Sequence, residues 1–344
     1  MNAKTIWIER ESREDTYAEF VGEFSCTTQE NVFINISSDS HFVVYVNEQL
    51  ACFGDTADYP WYRLYHRFDI TKYCKEHNEI KIDVWYKGRD SQTYIKDEAG
   101  LWFEIKQEQN TLLVSGSHIL SRKNMCYKNE YCKNITYQLG FSFYYDNTVE
   151  NTLPYLPSVE REKEYHFHER KEGYLTLGDR TPITWYKQND SYLIDLGEEI
   201  VGFLELLIIS PKEQEILIAY GEHIQDGGVR RIIAGRDFSV EFKAKEGENV
   251  YLNPFRRLAG RYLQVYCEAP IVIQYIGLRP TDRKVTEIPR NFEESLVQNI
   301  YDVGVNTLKK CMHEHYEDCP WREQAMWNFV LHWNPLVQNI REKF

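Results

Sequence analysis

The sequence predicts a mainly β protein, with two consecutive antiparallel β-sandwich domains followed by a short helical segment. Apolar and polar residues alternate with a period of two up to about residue 285. Turn residues interrupt this pattern at short intervals, and the period becomes helical after Pro289. With 344 residues and 42% hydrophobic content, the chain is long enough for more than one packed core.

The first domain is expected over residues 1–148, as an antiparallel β-sandwich. The apolar runs His41–Val46 and Gln49–Phe53 are separated by a short polar pair, which predicts a β-hairpin. Residues 79–86 read as a half-buried strand, with Ile80, Ile82, Val84 and Tyr86 on one face and Lys81 and Asp83 on the other.

The second domain is expected over residues 149–286. It begins with a connector, because residues 148–172 are dense in charged side chains and contain two prolines. Turn residues such as Gly197 and Pro270 separate the strands that follow. The predicted strands are 192–195, 202–209, 215–220, 260–266 and 271–276.

A helix is expected from Asn291 to Leu308, with Asn291 as the N-cap and Glu294 three residues later. Short isolated helices are marginal in water, so this helix should pack one apolar face on the second sandwich. The residues expected on that face are Phe292, Leu296 and Ile300.

Composition excludes several function classes. A net charge of −13 repels phosphate, so no nucleic-acid or anionic membrane partner is expected. The sequence contains no run of 18 apolar residues and no apolar core of a secretory signal near its start. The eight scattered cysteines lack CxxC spacing and predict free thiols in a cytoplasmic protein.

Candidate catalytic residues are concentrated between residues 311 and 327, around a proline turn. Glycoside cleavage needs a carboxylic acid at the leaving oxygen and a second carboxylate, and nearby apolar rings raise the pKa of the acid. The same residue pattern also fits a charged loop that leads into a helix, and the residues alone leave both interpretations open. The His, Asp and Cys spacing here matches no closed zinc site, so no metal and no other cofactor is expected. The cluster comprises Glu317, Asp318, Arg322 and Glu323.

The run Asp318-Cys-Pro-Trp-Arg-Glu323, followed by Trp327, resembles the signature of bacterial α-L-rhamnosidases of glycoside hydrolase family 78. Segments 192–205, 219–227 and 255–262 are similar to the β-domain that packs on the catalytic barrel in that family. The resemblance extends from about residue 30 to residue 327.

The resemblance implies an inverting hydrolase that releases terminal L-rhamnose from rhamnose-containing glycosides with an (α/α)6 catalytic barrel. Glu323 would be the general acid, whereas Asp318, Arg322 and Trp327 would bind the sugar. Core packing of Trp321 and Trp327 in a helix is the alternative that the residues leave open.

The sequence departs from the family after Trp327, where family members continue into a Gly-Asp or equivalent acidic step. Residues 328–344 carry no such step. Twelve helices of roughly 11 residues each need well over 150 residues, whereas 55 follow Pro289. Residues 287–344 are therefore expected to be the truncated start of an incomplete barrel. Without an assignable general base, the chain alone is expected to be inactive.

Two other functions remain open. The chain can be a carbohydrate-binding or partner-binding β-module without catalysis. Alternatively, a second chain can supply the missing helices of the barrel. A homo-oligomer is also compatible with the sequence. A binding module would use exposed aromatic rings of the first sandwich, which stack well on sugars. The candidates are Trp61, Tyr62, Tyr65, Trp85 and Tyr86.

Overall fold

The computed structural model describes residues 2–27, 30–55, 58–171, 174–283, 285 and 289–326. Within these ranges the protein is mainly β, with one α-helix near the end, as the periodicity predicted. The strands fall into two units, each with its own sheets. Most strands of the first unit come before those of the second unit in the sequence.

The first part of the chain forms the strands β1 (Ile6–Trp7), β2 (Thr16–Ser25), β3 (Val32–Ser38), β4 (His41–Val46), β5 (Gln49–Asp55), β6 (Arg63–Asp69), β7 (His77–Tyr86), β8 (Leu101–Gln107), β9 (Asn110–Val114) and β10 (Leu120–Lys123). The middle forms β11 (Asn134–Thr136), β12 (Gly140–Phe141), β13 (Tyr144–Asp146), β14 (Leu156–Pro157), β15 (Val159–Glu160) and β16 (Phe167–Glu169). The remainder forms β17 (Leu175–Leu177), β18 (Thr184–Lys187), β19 (Ser191–Ser210), β20 (Gln214–Gly221), β21 (Ile224–Gln225), β22 (Gly228–Val229), β23 (Ile232–Ile233), β24 (Arg236–Asp237), β25 (Ser239–Ala244), β26 (Gly247–Cys267) and β27 (Val272–Arg283). The helices are a 3₁₀ turn (Thr71–Tyr73) and α1 (Ser295–Lys310).

The first unit is a β-sandwich. One sheet has the order β15-β1-β8-β3-β6-β16 with β9 beside β8, and the facing sheet has the order β14-β10-β2-β7-β4-β5. Apolar residues of both sheets meet in one core, with Trp7 on the first sheet and Phe20 and Phe42 on the second. The predicted hairpin is confirmed as β4 and β5, which pair antiparallel.

The second unit is built on one continuous sheet, of order β13-β25-β20-β26-β19-β27-β17 with β18 beside β19. The strands predicted separately at 192–195 and 202–209 are parts of the single strand β19. Gly197, which has a φ of +83°, lies in an irregular stretch of that strand between Asp195 and Ile200, rather than ending it. A second sandwich was expected here, and the hydrogen bonds join its main strands into one eight-stranded sheet.

Pairing is mostly antiparallel, as predicted, but β13 runs parallel to β25 and β16 runs parallel to β6. Strands on either side of residue 148 join both units. Strand β13 lies in the sheet of the second unit, whereas β14, β15 and β16 pair with sheets of the first. The predicted connector therefore ties the two units together.

The two units also share an apolar interface. Tyr17 of β2 stacks on Tyr127 with ring centroids 4.0 Å apart, and Phe53 of β5 meets Phe203 of β19 at 5.1 Å. Trp85, which was expected to be an exposed sugar-stacking residue, is fully buried, and its ring lies 6.5 Å from that of Phe255. Tyr86 is buried in the core of the first unit, so both predictions of exposure are wrong. The second half of β7, residues 82–86, is buried on both faces, and Tyr65 on β6 is half-buried.

The helix begins later than predicted, and it buries the neighbouring apolar row instead of the expected one. Its N-cap is Glu294, and neither that residue nor Asn291 provides a side-chain cap. Leu296 and Ile300 are 61% and 64% exposed, so the prediction that their face is buried is wrong. The adjacent apolar row is the half-buried one, and it contains Tyr301, Val305 and Leu308. Two neighbouring apolar rows satisfy the same helical period, and periodicity alone does not choose between them.

Candidate active-site segment

The segment that carries the predicted site residues follows directly from the end of α1. Cys311 ends the helix, and its backbone N–H donates to carbonyl oxygens of the last turn. Its own carbonyl oxygen accepts from the backbone N–H of Glu317 at 2.9 Å. The chain thus turns back on itself before it reaches Asp318.

Residues 318–325 form a closed loop, here called the motif loop. The backbone N–H of Asp318 donates to the carbonyl oxygen of Ala325 at 2.9 Å, and the N–H of Ala325 donates to Asp318 Oδ1 at 3.0 Å. Inside the loop, Gln324 Nε2 donates to the carbonyl oxygen of Pro320 at 2.7 Å. One oxygen of the Asp318 carboxylate is therefore used to close the loop.

Trp321 fixes the motif loop to the second unit. Its side chain is buried, and its ring lies 4.8 Å from Phe238 and 5.7 Å from His223. Gly221 leaves room for it, since a Cβ at that position would lie 3.1 Å from the indole ring. Trp321 packs in the core, as the alternative interpretation held, but it lies in a turn rather than in a helix. Trp327, predicted to line the sugar site, lies outside the described residues.

Arg322 and Glu323 lie on the outer side of the motif loop. The Arg322 side chain is 51% exposed, and its Nη2 lies 3.4 Å from Glu323 Oε1. Glu323 is more covered, with 19% of its side chain exposed. The structure thus brings Asp318, Arg322 and Glu323 together in one loop, with a direct contact between the last two. The sugar-binding and acid roles assigned to them stay predictions.

Beneath the motif loop lies a buried charge network that the sequence did not predict. Glu317 is fully buried, and its carboxylate pairs with the guanidinium of Arg257 and accepts a bond from His313 Nδ1 at 3.2 Å. Burial alone would raise the pKa of Glu317, but Arg257 and His313 outweigh it and hold that pKa below its usual value. Burial lowers the pKa of His313. The network anchors the segment to β26, which carries Arg257.

A second pair of carboxyl groups lies near the loop. Burial raises the pKa of Glu199 to about 8, and the negative charge of Glu222 adds to the rise against the opposing charge of Lys310. Partial burial also raises the pKa of Glu222, although His223 and Arg322 oppose it. At neutral pH such a group can donate a proton. Glu199 and Glu222 lie in segments that resemble the family, but nothing in their sequence spacing predicts that their carboxyl groups interact.

Metal chemistry gains no support from the geometry. Among the described residues, no group of three or more His, Cys, Asp or Glu side chains is arranged to hold a metal ion. Within the same ranges, no helix combines the length and apolar character that a membrane span requires.

No protein-family model matches the sequence, and a search of curated proteins finds no relative. Solved structures do match. The family 78 rhamnosidase of Bacillus sp. GL1 superposes with a TM-score of 0.81 at 14% identity, over 95% of this chain and 60% of that one. The α-L-rhamnosidase of Aspergillus terreus gives 0.76 at 18% identity, over 96% and 42%. That of Streptomyces avermitilis, solved with L-rhamnose, gives 0.71 at 12%, over 90% and 33%.

The chain therefore spans between a third and three fifths of the length of these enzymes while nearly all of it is matched. At such low identity the match establishes fold. The chain is structurally related to the family 78 α-L-rhamnosidases, and the resemblance predicted from its motif is confirmed at the level of the fold.

Proposed function

We propose that this chain is the β-rich part of a glycoside hydrolase that acts on terminal α-L-rhamnosides. In this proposal Glu323 is the general acid, and Asp318 and Arg322 bind the sugar. The free state of all eight cysteines supports a cytoplasmic location.

The observation that supports the proposal most strongly is the construction of the motif loop. Its backbone closes on Asp318, and Trp321 seats it on the second unit, so that Arg322 and Glu323 are presented at the outside. A loop held at both ends keeps its functional groups in a fixed orientation, which binding and catalysis require. The same loop belongs to a fold shared with enzymes that include one solved with L-rhamnose.

A second candidate function is carbohydrate binding by the first unit. The turn before β6 carries an exposed pair of aromatic rings, Tyr59 and Trp61, stacked with centroids 5.2 Å apart. The Trp61 side chain is 74% exposed. Beside it, Tyr62 stacks on His168 at 4.3 Å. Such rings offer flat apolar faces on which pyranose rings can stack.

One binding experiment separates the two functions. L-rhamnose is titrated into the chain by isothermal calorimetry, with D-glucose as the control sugar. The motif-loop site predicts that Asp318→Asn weakens binding by about tenfold, because a charged acceptor is lost. Asparagine keeps an Oδ1 acceptor for the N–H of Ala325, so the loop should stay closed. Asp190→Asn, in an exposed turn, is the matched control.

The aromatic site predicts the opposite pattern. Trp61→Ala would abolish binding there, whereas Asp318→Asn and the exposed control Trp185→Ala would leave it unchanged. Rhamnose binding no stronger than glucose binding in the wild-type chain would contradict the rhamnoside proposal.

A further inference from the structure

A cavity of about 50 Å³ lies where the first unit, the second unit and the C-terminal segment meet. A buried water molecule needs roughly 10–15 Å³ of such space. The cavity therefore has room for about three to five water-sized groups, which is the size of a carboxylate or phosphate group. The lining residues that matter here are Lys87, Gln138, Arg256, Arg257, Glu314 and Glu317.

Arg256 is a buried cation without a carboxylate partner. Its side chain is 6% exposed, and its Nη1 donates to the carbonyl oxygen of Leu139. Burial, and to a smaller extent the charge of Arg257, lower the pKa of Arg256, whereas the hydroxyls of Tyr220 and Tyr17 oppose this shift. No carboxylate among the described residues pairs with Arg256. A buried charge is normally paired, because removing it from water without compensation is costly.

Both arginines also have an unused hydrogen-bond donor. The Nε atoms of Arg256 and Arg257 are buried and have no hydrogen-bond partner among the described residues. The far side of Arg257 is engaged by Glu317. A guanidinium presents its donors in a planar fork that suits an oxyanion.

The remaining charges on the cavity wall do not neutralise Arg256. Glu317 is paired with Arg257, and Glu314 is paired with Arg170, whose Nη2 lies 3.1 Å from Glu314 Oε2. Lys87 also lines the wall, and its Nζ lies 5.6 Å from the centre of the Trp85 ring.

We propose that this cavity is a binding site for a small oxyanion, a carboxylate or a phosphate group, which the guanidinium groups of Arg256 and Arg257 on its wall bind. The site does not depend on the proposed rhamnoside hydrolysis, because none of the residues assigned to the sugar takes part. An anion here would lie next to the Arg257–Glu317 pair that supports the motif loop.

The test uses the whole chain and three probes at one ionic strength, set with sodium chloride. Sodium phosphate and sodium acetate are the oxyanion probes, and acetamide, which has the shape of acetate without its charge, is the neutral control. Thermal unfolding and calorimetry should show a raised midpoint and one bound anion per chain, with no effect of acetamide. Binding of acetate alone would identify a carboxylate, and binding of phosphate alone a phosphate group. Absence of any effect beyond that of acetamide would overturn the proposal.

Variants locate the site. Arg256→Met should lower anion affinity by at least about tenfold and remove the shift in the unfolding midpoint. Arg261→Met is the matched control, because Arg261 lies on the same strand but pairs with Asp195 outside the cavity.

Gln138→Glu covers the case in which Arg256→Met does not fold. It places a carboxylate in the cavity wall with almost no change of shape, so it should also weaken anion binding by about tenfold. Anion binding that survives either Gln138→Glu or a folded Arg256→Met would contradict the assignment.

Discussion

Glu199 is the residue whose protonation the fold changes most clearly near the motif loop. Burial, with Glu222 adding to it, raises its pKa from an ordinary value of 4.5 to about 8. The folded chain therefore retains a proton between pH 4.5 and 8 that the unfolded chain releases. The contribution of this proton to the free energy of unfolding is fully present below pH 4.5 and is lost as the pH rises through 8.

Glu199→Gln should remove this pH dependence, because the amide resembles the protonated carboxyl and does not ionise. The free energy of unfolding of the variant relative to the wild type should rise between pH 5 and pH 8 by on the order of 1 to 4 kcal/mol. Urea unfolding at the two pH values measures the difference. Glu198→Gln removes a charge from an exposed neighbouring position and is the control. An unchanged difference at both pH values would mean that Glu199 is ionised in the folded chain.

At the scale of the element, α1 rests on the second unit by one apolar row and exposes the other. Leu308 lies on the half-buried row, whereas Leu296 is 61% exposed. An exposed apolar side chain contributes little to the free energy of unfolding, and alanine is itself a strong helix former.

Leu296→Ala should therefore change the free energy of unfolding by less than about 0.5 kcal/mol. Leu308→Ala should cost about 1 to 2 kcal/mol, because half-buried methyl groups lose their packing. Chemical unfolding of both variants gives the comparison. A loss of about 2 to 5 kcal/mol for Leu296→Ala would contradict the exposed position. It would then be worth measuring whether copies of the chain associate through this face.

At the scale of the whole molecule, the proposed general acid belongs to a loop fixed to the β-rich units. An inverting glycosidase also needs a carboxylate about 6.5 to 9.5 Å from the acid to activate water. None of the described residues is assigned that role. Loss of a general base lowers rates by about 100-fold to 10,000-fold, and an open site also loses substrate orientation.

Purified chain should therefore hydrolyse an aryl α-L-rhamnoside at no more than about one hundredth of the rate of an α-L-rhamnosidase that shares its fold. The two are assayed side by side on the same substrate, and Glu323→Gln serves to identify any residual turnover. Turnover within tenfold of that enzyme, abolished by Glu323→Gln, would contradict this expectation. Glu199 and Glu222 would then be the first residues to test as the base.

The sequence by itself determined the β-rich architecture, the β4–β5 hairpin and the change to a helix after Pro289, because periodicity and turn residues act over short stretches of chain. The motif also pointed to the right fold relatives. Only the tertiary structure decided which apolar row of α1 faces inward, that Trp85 is covered by the second unit, and that burial raises the pKa of Glu199. It also decided that Arg256 is buried without a carboxylate partner. These properties depend on residues far apart in the sequence, which only the folded chain brings into contact.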